Sequence, residues 1–209
     1  MNTSRFKPDF YTRIDWYAMD KNGHIALMKN FGWGDIPISL QSIKDWRLGL
    51  DEISEYLYEE LTNYTPYPDK NGAYTLDIYS SFMYSHKEKI TSFNLKALTK
   101  EEVEKALLDG NSRNKKLSDL SLVIRKGLYL FRGIEGYKEG DDTPVGYNGT
   151  YSMGDYYRHL IPSIFSEISD FPEPLRKYVC VSETVDFQKD RLLSNELIDS
   201  YFPKTYLEK

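Results

Sequence analysis

Histidine and cysteine carry much of the metal and nucleophile chemistry of proteins, and this 209-residue chain has few of them. It contains three histidines, His24, His86 and His159, and one cysteine, Cys180. No H-x-x-x-H or C-x-x-C spacing is present, and these are the patterns that bring metal ligands together on one element. We therefore predict no metal site and no cofactor.

Cys180 and the serines lack the local context of a catalytic nucleophile. Val179 and Val181 flank Cys180, which predicts a buried strand in which the thiol is a small apolar group. A nucleophile partnered by a distant histidine is the alternative. No G-x-S-x-G elbow occurs. The G-x-G at Gly32 to Gly34 lacks a third glycine and a following Lys-Ser/Thr, so it does not resemble a phosphate loop.

An acidic helix face is the first candidate binding site. Within ten residues the chain places five carboxylates and neither Lys nor Arg, at Asp51, Glu52, Glu55, Glu59 and Glu60. Such a face complements a basic partner, because opposite potentials speed encounter and set the register of binding. A solvated helix face is the alternative reading.

A tyrosine-rich loop is the second candidate binding site. Residues 133–154 hold six of the 13 glycines together with an acidic run at 139–142. The loop mixes rigid aromatic anchors with adaptable polar residues, as binding loops do, and its candidate contacts are Tyr137, Tyr147 and Tyr151. A disordered connection is the alternative, since long loops in compact domains are either functional or mobile.

Composition narrows the compartment and the class of partner. The net charge of −5 argues against a nucleic-acid partner, which requires a basic stripe. No run of about 18 apolar residues exists, so we expect no membrane span. The N-terminus lacks the apolar segment of a secretory signal, and one cysteine cannot form an intrachain disulfide. These features predict a cytoplasmic protein.

The clearest element is an N-terminal β-hairpin, in which residues 14–20 and 24–30 flank Lys21-Asn22-Gly23. If Asn22-Gly23 forms a two-residue turn, Ala18 lies opposite Leu27. One face then carries Ile14, Trp16, Ala18, Ile25 and Leu27, and the other carries Tyr17, Met19, Ala26 and Met28. Because both faces are apolar, we expect the hairpin to lie inside a sheet.

Helices and further strands follow from hydrophobic spacing and caps. An apolar stripe predicts a helix over about residues 42–62, with Ser42 and Asp45 at its N-cap, and the stripe comprises Ile43, Trp46, Leu50, Ile53, Leu57 and Leu61. A capping box at Thr99 to Glu102 opens a helix that ends at Gly110. Leu117, Leu120 and Ile124 face inward on a third helix, 114–126, ended by Gly127. Short helices are expected near 175–178 and 192–201, and strands at 128–132, 156–161 and 179–187.

These elements predict one α+β domain over residues 1–209. Its sheet is expected to be mostly antiparallel, and several helices pack against the N-terminal hairpin. No internal repeat or low-complexity linker divides the chain.

The hairpin also carries a resemblance to other proteins. The run from Asp15 to Ala26, D-W-Y-A-M-D-K-N-G-H-I-A, followed by Gly34 and Pro37, resembles a set of bacterial proteins that open with D-W-[FY]-A-x-D-x-x-G-x-I-A. The segments 127–129, 161–162 and 171–175 look like parts of the same pattern. Some proteins of this kind are immunity proteins, which neutralise a toxin by binding it. The resemblance involves structural motifs and implies no catalytic residue.

The sequence thus favours a non-enzymatic protein that binds another, basic protein. The resemblance implies a bacterial toxin-immunity protein. A small hydrolase or transferase is the alternative, with a site assembled from scattered Asp, Glu, His and Tyr residues; a pocket lined by titratable groups would favour it.

Overall fold

The computed structural model describes residues 5–9, 11–80, 98–113, 117–135 and 143–207, without the side chains of Ser112 and Arg113. His86, Tyr137 and the acidic run at 139–142 therefore lie outside the described residues.

An eight-stranded sheet forms the centre of the fold. Its strands are β1 (Asp15–Met19), β2 (Ile25–Lys29), β3 (Tyr74–Leu76), β5 (Tyr129–Gly133), β7 (Tyr156–Pro162), β8 (Val179–Val181), β9 (Leu192–Leu193) and β10 (Lys204–Thr205). Seven of them follow the order β10-β8-β1-β2-β5-β7-β3, and β9 also pairs with β7. A second, two-stranded sheet joins β4 (Tyr79–Ser80) to β6 (Pro144–Val145).

Helices pack on this sheet. The α-helices are α1 (Ile38–Gln41), α2 (Trp46–Leu57), α3 (Lys100–Arg113), α4 (Asp119–Ser121), α5 (Glu173–Arg176) and α6 (Ile198–Tyr201), and α2 contacts β1 directly. A π-helical turn (Leu122–Lys126) continues α4, and 3-10 turns occupy Ile168–Asp170 and Asn195–Leu197. The predicted α+β class is confirmed, including the mainly antiparallel pairing and the hairpin packed by helices. Both hairpin strands lie inside the sheet, β1 beside β8 and β2 beside β5.

The predicted pairing of the hairpin is wrong by one residue. Ala18 lies opposite Ala26, not Leu27. The loop has three residues, because the backbone N–H of Asp20 donates to the carbonyl of His24 at 3.0 Å and Gly23 takes a φ of 87°. A three-residue loop ending in a left-handed glycine is a common hairpin connection. The shift exchanges the faces of β2, since alternate strand residues point to opposite sides.

Asp20 holds this loop in place. Its buried carboxylate accepts hydrogen bonds from the backbone N–H groups of Asn22 and His24, both at 2.9 Å. The other carboxylate oxygen accepts from the backbone N–H of Phe187, also at 2.9 Å. One side chain therefore joins the hairpin turn to the segment that follows β8.

Helix α2 is shorter than the predicted 42–62. It begins at Trp46, because Asp45 is left-handed with a φ of 58° and makes no side-chain cap; Ser42 instead donates to the carbonyl of Ile38. It ends at Leu57, where Glu59 takes a φ of 60°. The N–H of Glu59 donates to Tyr56 and that of Glu60 to Glu55, which is the hydrogen-bond pattern of a Schellman motif.

The other helices agree with the sequence in part. The Thr99 capping box is confirmed, since its N–H donates to the Glu102 carboxylate at 2.8 Å and its hydroxyl accepts from the Glu102 N–H at 3.3 Å. The predicted end of this helix at Gly110 is wrong, because α3 runs to Arg113.

The prediction of a regular helix from residue 114 to residue 126 is also wrong. The wider π turn rotates the side chains, so Val123 is buried and Ile124 only half-buried, and Gly127 ends the turn as expected at a φ of 76°.

Two C-terminal predictions also change. The strand predicted over 179–187 is only three residues long, and the chain then turns at Ser182, whose hydroxyl accepts from the N–H of Val185 at 2.9 Å. The predicted helix 192–201 begins as strand β9, which pairs with Tyr156 and Tyr157, so α6 starts only at Ile198. Cys180 lies buried in β8, as expected.

We expect Gly23→Val to lower the free energy of unfolding by roughly 1–2 kcal/mol, because a β-branched residue resists a positive φ. A Cβ at this position would meet no atom within 4 Å, so the effect isolates backbone conformation. Gly23→Asn is the matched control, since Asn tolerates the left-handed region. Urea unfolding of the three proteins measures the difference. Equal losses in both variants would contradict the backbone explanation.

Candidate functional site

A row of polar side chains crosses one face of the sheet. Asp15 pairs with Lys29, Lys29 with Arg132, and Arg132 with Tyr157, which places the four residues side by side on β1, β2, β5 and β7. Partners on neighbouring strands point to the same face. We call these four residues the polar row.

Lys29 holds two carboxylates at the end of this row. Its ammonium lies 2.7 Å from Asp15 Oδ2 and 3.2 Å from Asp119 Oδ1. Asp119 is the first residue of α4, and Tyr58 donates to the same oxygen at 3.3 Å. The side chains of Lys29, Asp15 and Asp119 keep 19%, 33% and 29% of their exposure. The cluster is therefore half-buried.

Burial and charge act against each other in this cluster. Burial raises the pKa of Asp15 although Lys29 opposes it. Burial would also raise the pKa of Asp119, but the charges of Lys29 and Arg132 hold that pKa below its usual value. Burial would lower the pKa of Lys29, yet the two carboxylates raise it. Burial, followed by the charge of Asp119, raises the pKa of Tyr58 far above its usual value. At neutral pH Lys29 is a cation and Tyr58 a neutral donor.

Arg132 differs from the other charged members of the cluster. Arg132 as a whole is only 8% exposed, and its guanidinium carbon lies 4.1 Å from the centre of the Phe31 ring. The guanidinium forms no hydrogen bond and no ion pair with any residue in the described part of the chain, and its nitrogens are not among the buried unpaired atoms, so they reach solvent. Arg13 reaches the same ring from 5.5 Å. The cation–π contact supplies attraction but no hydrogen-bond acceptor.

His159 lies close to this row and is fully buried. Its Nδ1–H donates to the carbonyl of Ile78 at 2.7 Å. Burial, followed by the positive charge of Arg132, lowers the pKa of His159 to about 3. The imidazole is therefore neutral near pH 7 and far from the range in which a histidine exchanges protons in catalysis.

A second charged network ties β7 to the chain that follows β3. Asp77 accepts from Arg158 Nε at 2.8 Å and from Arg191 Nη2 at 2.6 Å. Arg158 also donates to the carbonyls of Phe187 and Gln188. Each of the three guanidinium nitrogens of Arg158 contacts an acceptor within the protein, so we assign this network a structural role.

The predicted acidic face is divided by the structure. Asp51 and Glu55 are exposed on α2 and form no ion pair with the described residues, while Glu52 accepts a hydrogen bond from the Tyr64 hydroxyl at 2.8 Å. Glu59 lies beyond the helix. Its Oε1 is 2.5 Å from the ammonium of the buried Lys126 and 3.0 Å from Arg125.

The tyrosines of the loop lie elsewhere. Tyr147 is half-buried against Ile78, Ile134 and Tyr157, and Tyr151 is 41% exposed. Tyr147 thus packs beside β7, whereas α2 packs on β1. Three strand spacings separate β1 from β7, or roughly 14 Å. The structure therefore does not join the two predicted binding sites into one cluster.

Sequence reasoning did not find the polar row. Its members and Asp119 come from distant parts of the chain, and no short motif joins them. The available signal was a charged residue at the end of three apolar strands: Asp15 before Trp16, Lys29 after Met28, and Arg132 after Phe131. Such residues indicate a polar edge to a buried sheet face, but their neighbours depend on strand order.

No group of three or more His, Cys, Asp or Glu side chains within the described ranges could hold a metal ion. No helix in those ranges is both long and apolar enough to cross a membrane. No protein-family model, curated protein or solved structure matches the chain.

We expect Glu59→Lys to lower the free energy of unfolding by roughly 2–4 kcal/mol, because it places a cation against buried Lys126 and beside Arg125. Glu55→Lys, the same change on the exposed helix face, should stay within roughly 0.5 kcal/mol of the parent. Chemical denaturation of both variants provides the comparison. Similar losses would show that the Glu59 ion pairs contribute little.

His159 should weaken the fold in acid. Its pKa in the folded protein lies below the ordinary value near 6.5, so its contribution to stability is complete above pH 6.5 and is lost as the pH falls towards 3. His159→Asn keeps a donor for the Ile78 carbonyl but does not titrate. Between those pH values the parent should lose stability faster, by up to about 1.4 kcal/mol per pH unit. Urea unfolding at a series of pH values tests this; parallel curves would exclude it.

Proposed function

We propose that this chain is a cytoplasmic, non-enzymatic protein that binds a basic protein and neutralises it, as a bacterial toxin-immunity protein does. The observation that carries the proposal is the exposed side of α2. Leu48 is 68% exposed there, one turn before Asp51 and two turns before Glu55. We call Leu48, Asp51, Glu52 and Glu55 the α2 face.

The spacing of these residues makes a compact binding surface. Residues three, four and seven apart share one side of a helix, so the leucine and the carboxylates present themselves together. An apolar side chain that becomes buried supplies affinity, while surrounding charges steer a basic partner and set its orientation. The sequence also predicted Glu59 as part of this surface, but Glu59 instead forms an ion pair with buried Lys126.

Tyr147 and Tyr151, with Tyr137, remain a separate proposed contact. Tyr151 is the exposed aromatic of the described pair, and an aromatic anchor that becomes buried mainly slows dissociation. Its distance from α2 means that a partner must be large enough to reach across the sheet to use both surfaces.

The alternative function, a small hydrolase or transferase, draws support from the polar row, which gathers Asp15, Lys29 and Asp119 beside Tyr58. Lys29 and Tyr58 do not favour it, because a general base must be deprotonated near neutral pH, whereas Lys29 is held as a cation by two carboxylates and Tyr58 is held neutral. Asp15, whose pKa is raised by burial, is the candidate general acid or base of this alternative. We prefer binding because of the exposed α2 face.

The test is a charge reversal of the α2 face. The triple change of Asp51, Glu52 and Glu55 to Lys should slow association with the basic partner protein at least tenfold at low salt. High salt should shrink the difference, since exposed charges are screened over about 8 Å at physiological ionic strength. Stopped-flow mixing measures the rates. Leu48→Ala should instead speed dissociation.

A charge-matched control separates steering by this face from a change in net charge. Glu101, Glu173 and Glu196 are exposed on α3, α5 and the 3-10 turn before α6. Their triple change to Lys should slow association much less. Equal slowing by both triples, or none by either, would remove the α2 face as the binding site.

A further inference from the structure

The ring of Phe31 is half-buried and lies next to two guanidinium groups. Phe31 follows β2 in a left-handed conformation, with a φ of 49°. The side chain of Asn30 stabilises this turn by accepting from the N–H of Gly32 at 3.2 Å and of Ile14 at 2.7 Å. The turn directs the ring towards Arg132 at 4.1 Å and Arg13 at 5.5 Å.

The charges around this ring do not balance at short range. Three cations, Lys29, Arg132 and Arg13, are gathered with two carboxylates, Asp15 and Asp119. Both carboxylates lie within ion-pair distance of Lys29. Neither arginine has a carboxylate within that distance among the described residues. Asp15 and Asp119 act on Arg132 only from farther away, through their charge.

Arg132 is the stronger indication, because the residue is more than nine-tenths buried and none of its guanidinium nitrogens is both buried and unpaired, so these nitrogens reach solvent. Charged groups of largely buried residues are normally hydrogen-bonded within the protein, whereas this one keeps its donors available to a ligand from solvent. A guanidinium has five N–H donors, and the Phe31 ring can accept none of them as a carboxylate would. Arg158, equally buried, shows the usual solution with a carboxylate and two carbonyls as acceptors.

We infer that Arg132, Phe31 and Arg13 form a binding site for a small oxyanion, a phosphate or carboxylate group. The planar fork of a guanidinium matches two oxygens of either group through parallel hydrogen bonds. Stacking on Phe31 holds the plane of Arg132, so little side-chain freedom is lost on binding. Lys29 is already paired with Asp15 and Asp119, so the positive charge of the site comes from the two arginines. The site is distinct from the α2 face.

Calorimetric titration of the full chain with inorganic phosphate, and separately with acetate, tests the site at constant ionic strength. We expect saturable binding of at least one anion, and the preferred anion identifies whether phosphate or carboxylate ligands are recognised. Arg132→Met should weaken this binding at least tenfold. Arg47→Met is the matched control, because its guanidinium lies 4.3 Å from the Phe6 ring, away from the polar row, and binding should be unchanged.

Stability measurements separate a ligand site from a structural arginine. Without added anion, Arg132→Met should unfold at nearly the parent's denaturant concentration, since no hydrogen bond is lost. The anion should then stabilise the parent and not the variant. If Arg132→Met fails to fold, Arg132→Lys keeps the charge without the fork and should still weaken binding about tenfold. No saturable binding by the parent, or equal binding by parent and Arg132 variants, overturns the inference.

Discussion

The register of the β1–β2 hairpin is the constraint on which the rest of the structure depends. The hairpin occupies the middle of the sheet, so a shift of one residue would move every side chain of one strand to the opposite face. The buried carboxylate of Asp20 sets this register by closing a three-residue loop and binding the backbone of Phe187. Because this loop fixes the register, Asp15 lies directly opposite Lys29. The polar row depends on that pairing.

Buried charge is the second organising feature, and nearly all of it is compensated locally. Asp77 satisfies Arg158 and Arg191, and Lys126 is held between Glu59 and Asp69. Such pairs add little net stability, but they favour the native arrangement of the chain over alternatives. An arrangement that breaks a pair leaves an uncompensated buried charge. Against this background the guanidinium of Arg132 is an exception within the described residues, and it lies where the sheet face meets solvent.

The same ion pairs decide which acidic residues are available to a partner. Glu59 takes a left-handed conformation that is unfavourable for a side chain with a Cβ, and its contacts with Lys126 and Arg125 compensate for that strain. The helix therefore ends at Leu57 and leaves Asp51, Glu52 and Glu55 on its exposed side. Glu59 thus stabilises the fold, although it is an acidic residue like those before it. The three acidic residues on the helix form the surface that we propose for binding.

The sequence by itself determined the features that depend on neighbouring residues. Periodicity and turn chemistry identified the α+β class, the N-terminal hairpin, the Thr99–Glu102 capping box and the stop at Gly127, because each rests on hydrogen bonds and packing within a few positions. Tertiary structure alone decided the hairpin register, the capture of Glu59 by Lys126 and the meeting of Lys29, Asp119 and Arg132. These depend on loop geometry and strand order, and the partners are separated by up to about a hundred residues along the chain, beyond the reach of any local pattern.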